Sequence, residues 1–76
     1  MVSQQDLSDA ALVLLGHGST RNAGSAAPVY QQASELRARR AFGEVREAFW
    51  KQEPRVTEVL SGIKIANVFL VPLFIS

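Results

Sequence analysis

The chain has 76 residues, 47% of them hydrophobic, and a formal net charge of +1. A chain of that length forms one domain at most and buries only about 60% of its unfolded surface, near the lower limit for folding alone. The charge balance leaves no basic run of the kind a nucleic-acid footprint needs, and the absence of cysteine excludes disulfides and thiolate metal ligands.

Residues 1–9 are polar and lack the basic-then-apolar order of a signal peptide, so they read as an N-terminal tail ahead of an α/β domain over residues 10–76. Ala10-Ala11-Leu12-Val13-Leu14-Leu15 is apolar without alternation, the pattern of a strand covered on both faces in a parallel sheet. It stops at Gly16, and the Gly, Ser, Thr and Asn of residues 16–27 predict a loop. Pro28 opens a helix, because its missing N–H has no partner to lose in the first turn. Val29, Ala33 and Leu36 recur at helical spacing, with Gln31, Gln32, Glu35 and Arg39 on the other side. Arg37, Arg39 and Arg40 gather near the helix end, where cations complement the dipole.

Gly43 marks the exit from that helix. Residues 44–50 mix Val45, Ala48, Phe49 and Trp50 with Glu44, Arg46 and Glu47, and predict a more exposed strand at a sheet edge. Glu53-Pro54 starts a second helix, in which Val56, Val59, Leu60 and Ile63 fit the i, i+3, i+4, i+7 template. Gly62 stands where a left-handed cap would use it. Residues 65–73, apolar throughout except Asn67, predict a third strand, and Pro72 belongs at its end because it cannot donate to a ladder. The longest apolar stretch, residues 68–75, falls well short of the roughly 20 residues that cross a bilayer. A cytoplasmic protein is expected, with neither membrane nor nucleic acid as partner.

Strand, helix, strand, helix, strand predicts a parallel sheet with right-handed crossovers. The first and third strands are the most apolar and should lie side by side, giving the order 2-1-3 with a helix on each face, a three-layer α/β sandwich. The crossover direction then reverses beside the first strand, and ligands bind such sheets at the carboxyl ends of the strands there. The last predicted strand has neither a helix to cover it nor a partner at its edge. The chain therefore reads as a truncated N-terminal piece, with a further strand expected.

Gly16-His17-Gly18-Ser19-Thr20-Arg21-Asn22 lies at that carboxyl end. Histidine titrates near neutrality and is the commonest nitrogen ligand of divalent metals. A lone histidine is usually structural, but a strand-end loop at a switch point is where function concentrates. The dinucleotide fingerprint needs glycine where Arg21 stands, and the P-loop ending Gly-Lys-Ser/Thr is absent. A nucleophile elbow needs glycine where His17 stands. Ser19 and Thr20 suit the turn's own backbone groups. His17-Gly18 after a strand resembles the histidine phosphatases, whose Arg-His-Gly histidine accepts a phosphoryl group. Here Gly16 replaces the phosphate-binding arginine, which removes the main electrostatic support of that chemistry.

Three segments resemble the class II chelatases, the sirohydrochlorin chelatase family of cobalamin and sirohaem (porphyrin-type) biosynthesis. Leu14-Leu15-Gly16-His17-Gly18-Ser19 is similar to that family's opening strand and first active-site loop. Ala48-Phe49-Trp50 through Glu53-Pro54 is similar to its second strand, acidic residue and helix-starting proline. Phe69-Leu70-Val71-Pro72-Leu73-Phe74-Ile75-Ser76 is similar to the stretch leading to its second active-site loop. The resemblance covers residues 11–76 and implies a lyase that inserts a divalent metal, Co2+ or Fe2+, into a sirohydrochlorin-type tetrapyrrole. The metal is a substrate, and no organic cofactor is implied. His17 would bind the metal or take a pyrrole proton. The family's acidic position falls on Lys51 counted from Phe49 and on Glu53 counted back from Pro54, and Glu53 is preferred. Its ordinary alternative is charge complementarity at a helix start. Gly16, Gly18, Ser19 and Arg21 would face the substrate, Arg21 as a cation for its carboxylates. Trp50 and Tyr30 are flat enough to stack on a macrocycle, with a core or rim position as the ordinary alternative. The family's second histidine would lie beyond Ser76, so the 76-residue chain alone is expected to be inactive. Two other functions stay open: phosphoryl transfer at His17, and a tetrapyrrole- or metal-binding module without turnover. A homodimer is compatible with all of them.

Overall fold

The computed structural model describes residues 7–19 and 26–73. In chain order the elements are β1 (Leu7–Gly16), α1 (Ala27–Arg39), β2 (Phe42–Phe49), α2 (Val56–Gly62) and β3 (Asn67–Pro72). The strands form one parallel sheet in the order β2-β1-β3, as the apolar pattern predicts. β1 is central because its sequence can be buried twice over. Alternate side chains of a strand leave by opposite faces. Leu12 and Leu14 pack under α1 with Ala26, Val29, Ala33, Val45 and Phe49. Val13 and Leu15 pack on the other face with Ala48, Val56 and Val59 under α2. Full burial of one such side chain is worth roughly 1.5–3 kcal/mol, so both faces of β1 drive the collapse.

α1 is tied to β2 at its last turn. The Arg37 guanidinium meets the Glu47 carboxylate at 2.8 Å and donates to the Val45 carbonyl at 2.7 Å. The hydrogen bond to Glu47 pushes the Arg37 pKa further above its usual value. Arg37 thus clamps helix to strand as well as facing the helix dipole.

Several boundaries differ from the sequence expectation, each for a backbone reason. β1 begins at Leu7, inside the segment read as a tail, and its register against β2 slips between Leu7 and Ala11. Gly43 is not the exit of α1 but part of β2, where an added Cβ would run into the Ser8 carbonyl of that irregular stretch. α1 instead ends on Arg40, which takes the left-handed conformation at φ 56° and returns its N–H to the Arg37 carbonyl at 3.1 Å. α2 starts at Val56 rather than at Pro54. The Pro54 carbonyl accepts the Phe49 N–H at 2.9 Å, and Arg55 is extended and bridged to Phe49. Backbone committed to β2 in this way cannot begin a helical turn. Gly62 closes α2 without a left-handed cap, since Ile63 beside it is extended at φ −85°.

β3 is shorter than predicted and is covered on neither face. All of its residues are exposed, Phe69 at 48% and Leu70 at 46%. α1 rests chiefly on β2 and β1, and α2 on β2. Phe69 meets the edge of Phe42 at 6.3 Å between ring centroids. Among the described residues, no strand pairs with the outer edge of β3, and no helix is long and apolar enough to cross a membrane.

An apolar strand with an open edge invites pairing with other chains. The 76-residue chain is expected to self-associate at micromolar concentration, with sedimentation giving a mass that rises with concentration. Phe69→Lys and Leu70→Lys should lower that mass, whereas a sharply cooperative monomer in the unsubstituted chain would contradict it. Two glycine variants should move stability in opposite directions, read as denaturation midpoints at submicromolar concentration. Gly43→Ala should destabilise by roughly 1–3 kcal/mol, the usual range for forcing atoms into a packed site. Gly62→Ala meets nothing within 4 Å and should stabilise by about 0.4–1 kcal/mol through the unfolded chain.

Candidate functional site

The β1–β2 ladder does not stop where the strands do. Beyond the paired Gly16 and Phe49, the Trp50 N–H donates to the Gly16 carbonyl at 3.1 Å and the Lys51 N–H to the His17 carbonyl at 2.9 Å. On the other side the Leu73 N–H donates to the Leu15 carbonyl at 2.7 Å. The root of the His17 loop is therefore held by backbone from both neighbouring strands.

Two glycines shape this loop for different reasons. Gly16 is buried, and an added Cβ would lie 2.6 Å from Val29 Cγ2 and 3.0 Å from Phe49 Cε1. The close approach it permits is that of α1 and Phe49 to the strand end. Gly18 has φ +77°, a conformation side chains resist, and an added Cβ would lie 2.9 Å from Gln52 Cγ. Next to it the Ser19 N–H donates to Gln52 Oε1 at 2.9 Å. Residues 17–19 are thus folded down onto the segment after β2. Sequence reasoning missed Gln52, since an isolated amide carries no spacing signal.

His17 is exposed at the rim of this assembly. With Leu15, Trp50 and Pro72 it lines a hollow of about 300 Å³. Leu15 pairs with Ala48 on one side and Pro72 on the other, so the floor of the hollow is the sheet itself. Its walls are apolar apart from the imidazole. Such a place suits the apolar face of a flat ring laid beside an imidazole. A second hollow, about 450 Å³, lies at the amino end of β2 between Arg37, Arg40, Phe42, Gly43, Glu44 and Val45. Though larger, it sits away from the strands' carboxyl ends, and Arg37 there is engaged by Glu47 and Val45.

The structure brings His17, Gly18 and Ser19 against residues 49–52. Lys51 is joined to His17 through backbone, and its side chain is exposed. Glu53 is exposed in the segment between β2 and α2. It lies ahead of α2, whose N-cap is Arg55 and whose first-turn acid is Glu58. Arg21 and Thr20 lie outside the described residues. The two aromatics separate: Tyr30 stands on α1 with its ring 5.6 Å from Phe49, while Trp50 lines the hollow. Among the described residues, no group of three or more His, Cys, Asp or Glu side chains converges on a metal-sized position.

The model of the CbiX family matches residues 11–76, which include the three segments that resemble class II chelatases. A probable sirohydrochlorin cobaltochelatase of Halobacterium salinarum is 53% identical over 66 residues. Those residues make up 87% of this chain and 23% of the relative. Neither match points to a histidine phosphatase. With a parallel sheet in the order expected and a histidine loop at its switch point, the chain belongs to the CbiX family of class II chelatases.

Proposed function

We propose that the protein to which this segment contributes inserts a divalent metal, cobalt or ferrous iron, into a sirohydrochlorin-type tetrapyrrole. The observation that carries this reading is His17, held by backbone at the rim of an apolar hollow at the sheet's switch point. Its support is the relative's name, which specifies a cobaltochelatase of sirohydrochlorin.

Insertion replaces two pyrrole N–H protons by one divalent ion, and the metal keeps its oxidation state. No redox or group-transfer cofactor is needed. What the site has to supply is a lone pair that takes a proton or escorts the ion, and a way to bring ion and ring together. His17 takes the first role through its imidazole. The Glu53 carboxylate is the second proton acceptor, preferred to Lys51 because an ammonium repels the incoming cation. Gly16, Gly18 and Ser19 form the backbone wall against the substrate edge, and Arg21 pairs with the substrate's carboxylates. The setting proposed is cytoplasmic. A homodimer belongs to the proposal.

A chimaera tests His17 directly. Residues 11–76 replace the matching segment of the Halobacterium relative, and tetrapyrrole absorbance follows cobalt insertion into sirohydrochlorin. The chimaera should insert cobalt, and His17→Ala should reduce the rate to the spontaneous one with an unchanged far-ultraviolet dichroism spectrum, because an exposed loop side chain adds little to the core. Insertion retained in that variant would falsify the role of His17 and leave the fold untouched. The 76-residue chain by itself should accelerate insertion little. It has one histidine and no cysteine, and a divalent ion held by one imidazole keeps water as its remaining ligands. Insertion well above the spontaneous rate would show the site to be complete within this chain.

A further inference from the structure

The hollow beside His17 contains a side chain that metal insertion does not require. Trp50 is 58% exposed, the most exposed of the large hydrophobic side chains described. It directly follows Phe49, which is fully buried. An indole placed in water at a strand end is an unfavourable choice for folding, since burying it would gain apolar contact. The backbone around it is nevertheless fixed. Its N–H donates to Gly16, the next N–H donates to His17, and its carbonyl accepts from Arg55 Nη1 at 3.4 Å. The residue is anchored at the root and presented at the tip. Pro72 and Leu15 complete an apolar seat around it, with His17 as the polar member.

At about 300 Å³ the hollow is at the small end of ligand sites. It can take part of one face of a macrocycle and leaves the carboxylate-bearing rim outside. Resting on the tetrapyrrole reading above, we propose that Trp50 is a positioning residue whose indole stacks on the face of the tetrapyrrole and brings its inner nitrogens within reach of His17. An aromatic face attracts a flat π-system in offset or tilted contact beyond simple area burial. It does so without regard to the metal, so this contact recognises the metal-free ring and fixes its orientation before the ion enters. Tyr30 cannot share the task, because its ring lies against Phe49 on the α1 side of the sheet.

Trp50 is the chain's one tryptophan, so intrinsic fluorescence reports on this position alone. The 76-residue chain is titrated with metal-free sirohydrochlorin in the absence of divalent ions. Binding is followed by indole quenching and, independently of the indole, by the tetrapyrrole absorbance spectrum. Saturable quenching is expected together with a spectral shift. By absorbance, Trp50→Leu should weaken binding by about 3- to 10-fold, the range of an aromatic pair contact, while Trp50→Phe should stay within about twofold of the parent. Rescue by a flat ring and not by an apolar branched one separates stacking from mere bulk. The substitutions are at an exposed side chain, so equal dichroism spectra are expected for all three proteins. Equal affinity in Trp50→Leu and the parent would overturn the stacking role and leave the chelatase reading standing. No sirohydrochlorin binding by the parent chain would also overturn the stacking role, whereas the chelatase reading falls only if the chimaera inserts no cobalt.

Discussion

Everything in this domain hangs on β1 being hydrogen-bonded on both edges and buried on both faces at once. A strand in that position must contribute apolar side chains to two cores and backbone groups to two ladders. Residues 10–16 meet the demand, as all of them are buried. β2 and β3 take their registers from it, α1 and α2 close its two faces, and the loop that leaves it starts from a fixed point.

That constraint carries through to the site. Because the ladder runs on past Gly16 to the His17 carbonyl, the histidine leaves the sheet from a rigid root, although its side chain is exposed. Gly16 lets Val29 and Phe49 close over the strand end, and Gly18 lets the chain turn down onto Gln52. A side chain at either position would push the loop away from the segment after β2, and the hollow between His17, Trp50 and Pro72 would lose its shape. Packing and site geometry are here one problem.

β3 presents the opposite situation. It is as apolar as β1, but the helices rest on the other two strands, and its residues face outward on both sides. The hydrophobic pattern says that both faces suit burial, and the structure shows that α1 and α2 do not supply the cover. The relative that matches this chain is more than four times as long as the matched segment, which forms 23% of it.

The sequence by itself determined the order and type of the elements, the parallel 2-1-3 sheet, the central place of the first strand and the position of His17 at that strand's carboxyl end. These are legible because they rest on local properties: an unbroken apolar run, the helical spacing of Val29, Ala33 and Leu36, and glycines flanking a histidine. It misread the helix start at Pro54, the exit at Gly43 and the cap at Gly62. In each, the deciding partner lies outside the helix concerned or is absent where expected. Phe49 claims the Pro54 carbonyl, the Ser8 carbonyl leaves no room for a Cβ at Gly43, and the left-handed turn falls on Arg40 at the other helix. Only the tertiary structure separated Trp50 from Tyr30 and joined Gln52 to Ser19. Periodicity records which residues want burial, whereas the meeting of two loops depends on register between strands that lie some thirty residues apart in the chain, as the Ser19–Gln52 contact does with a separation of 33.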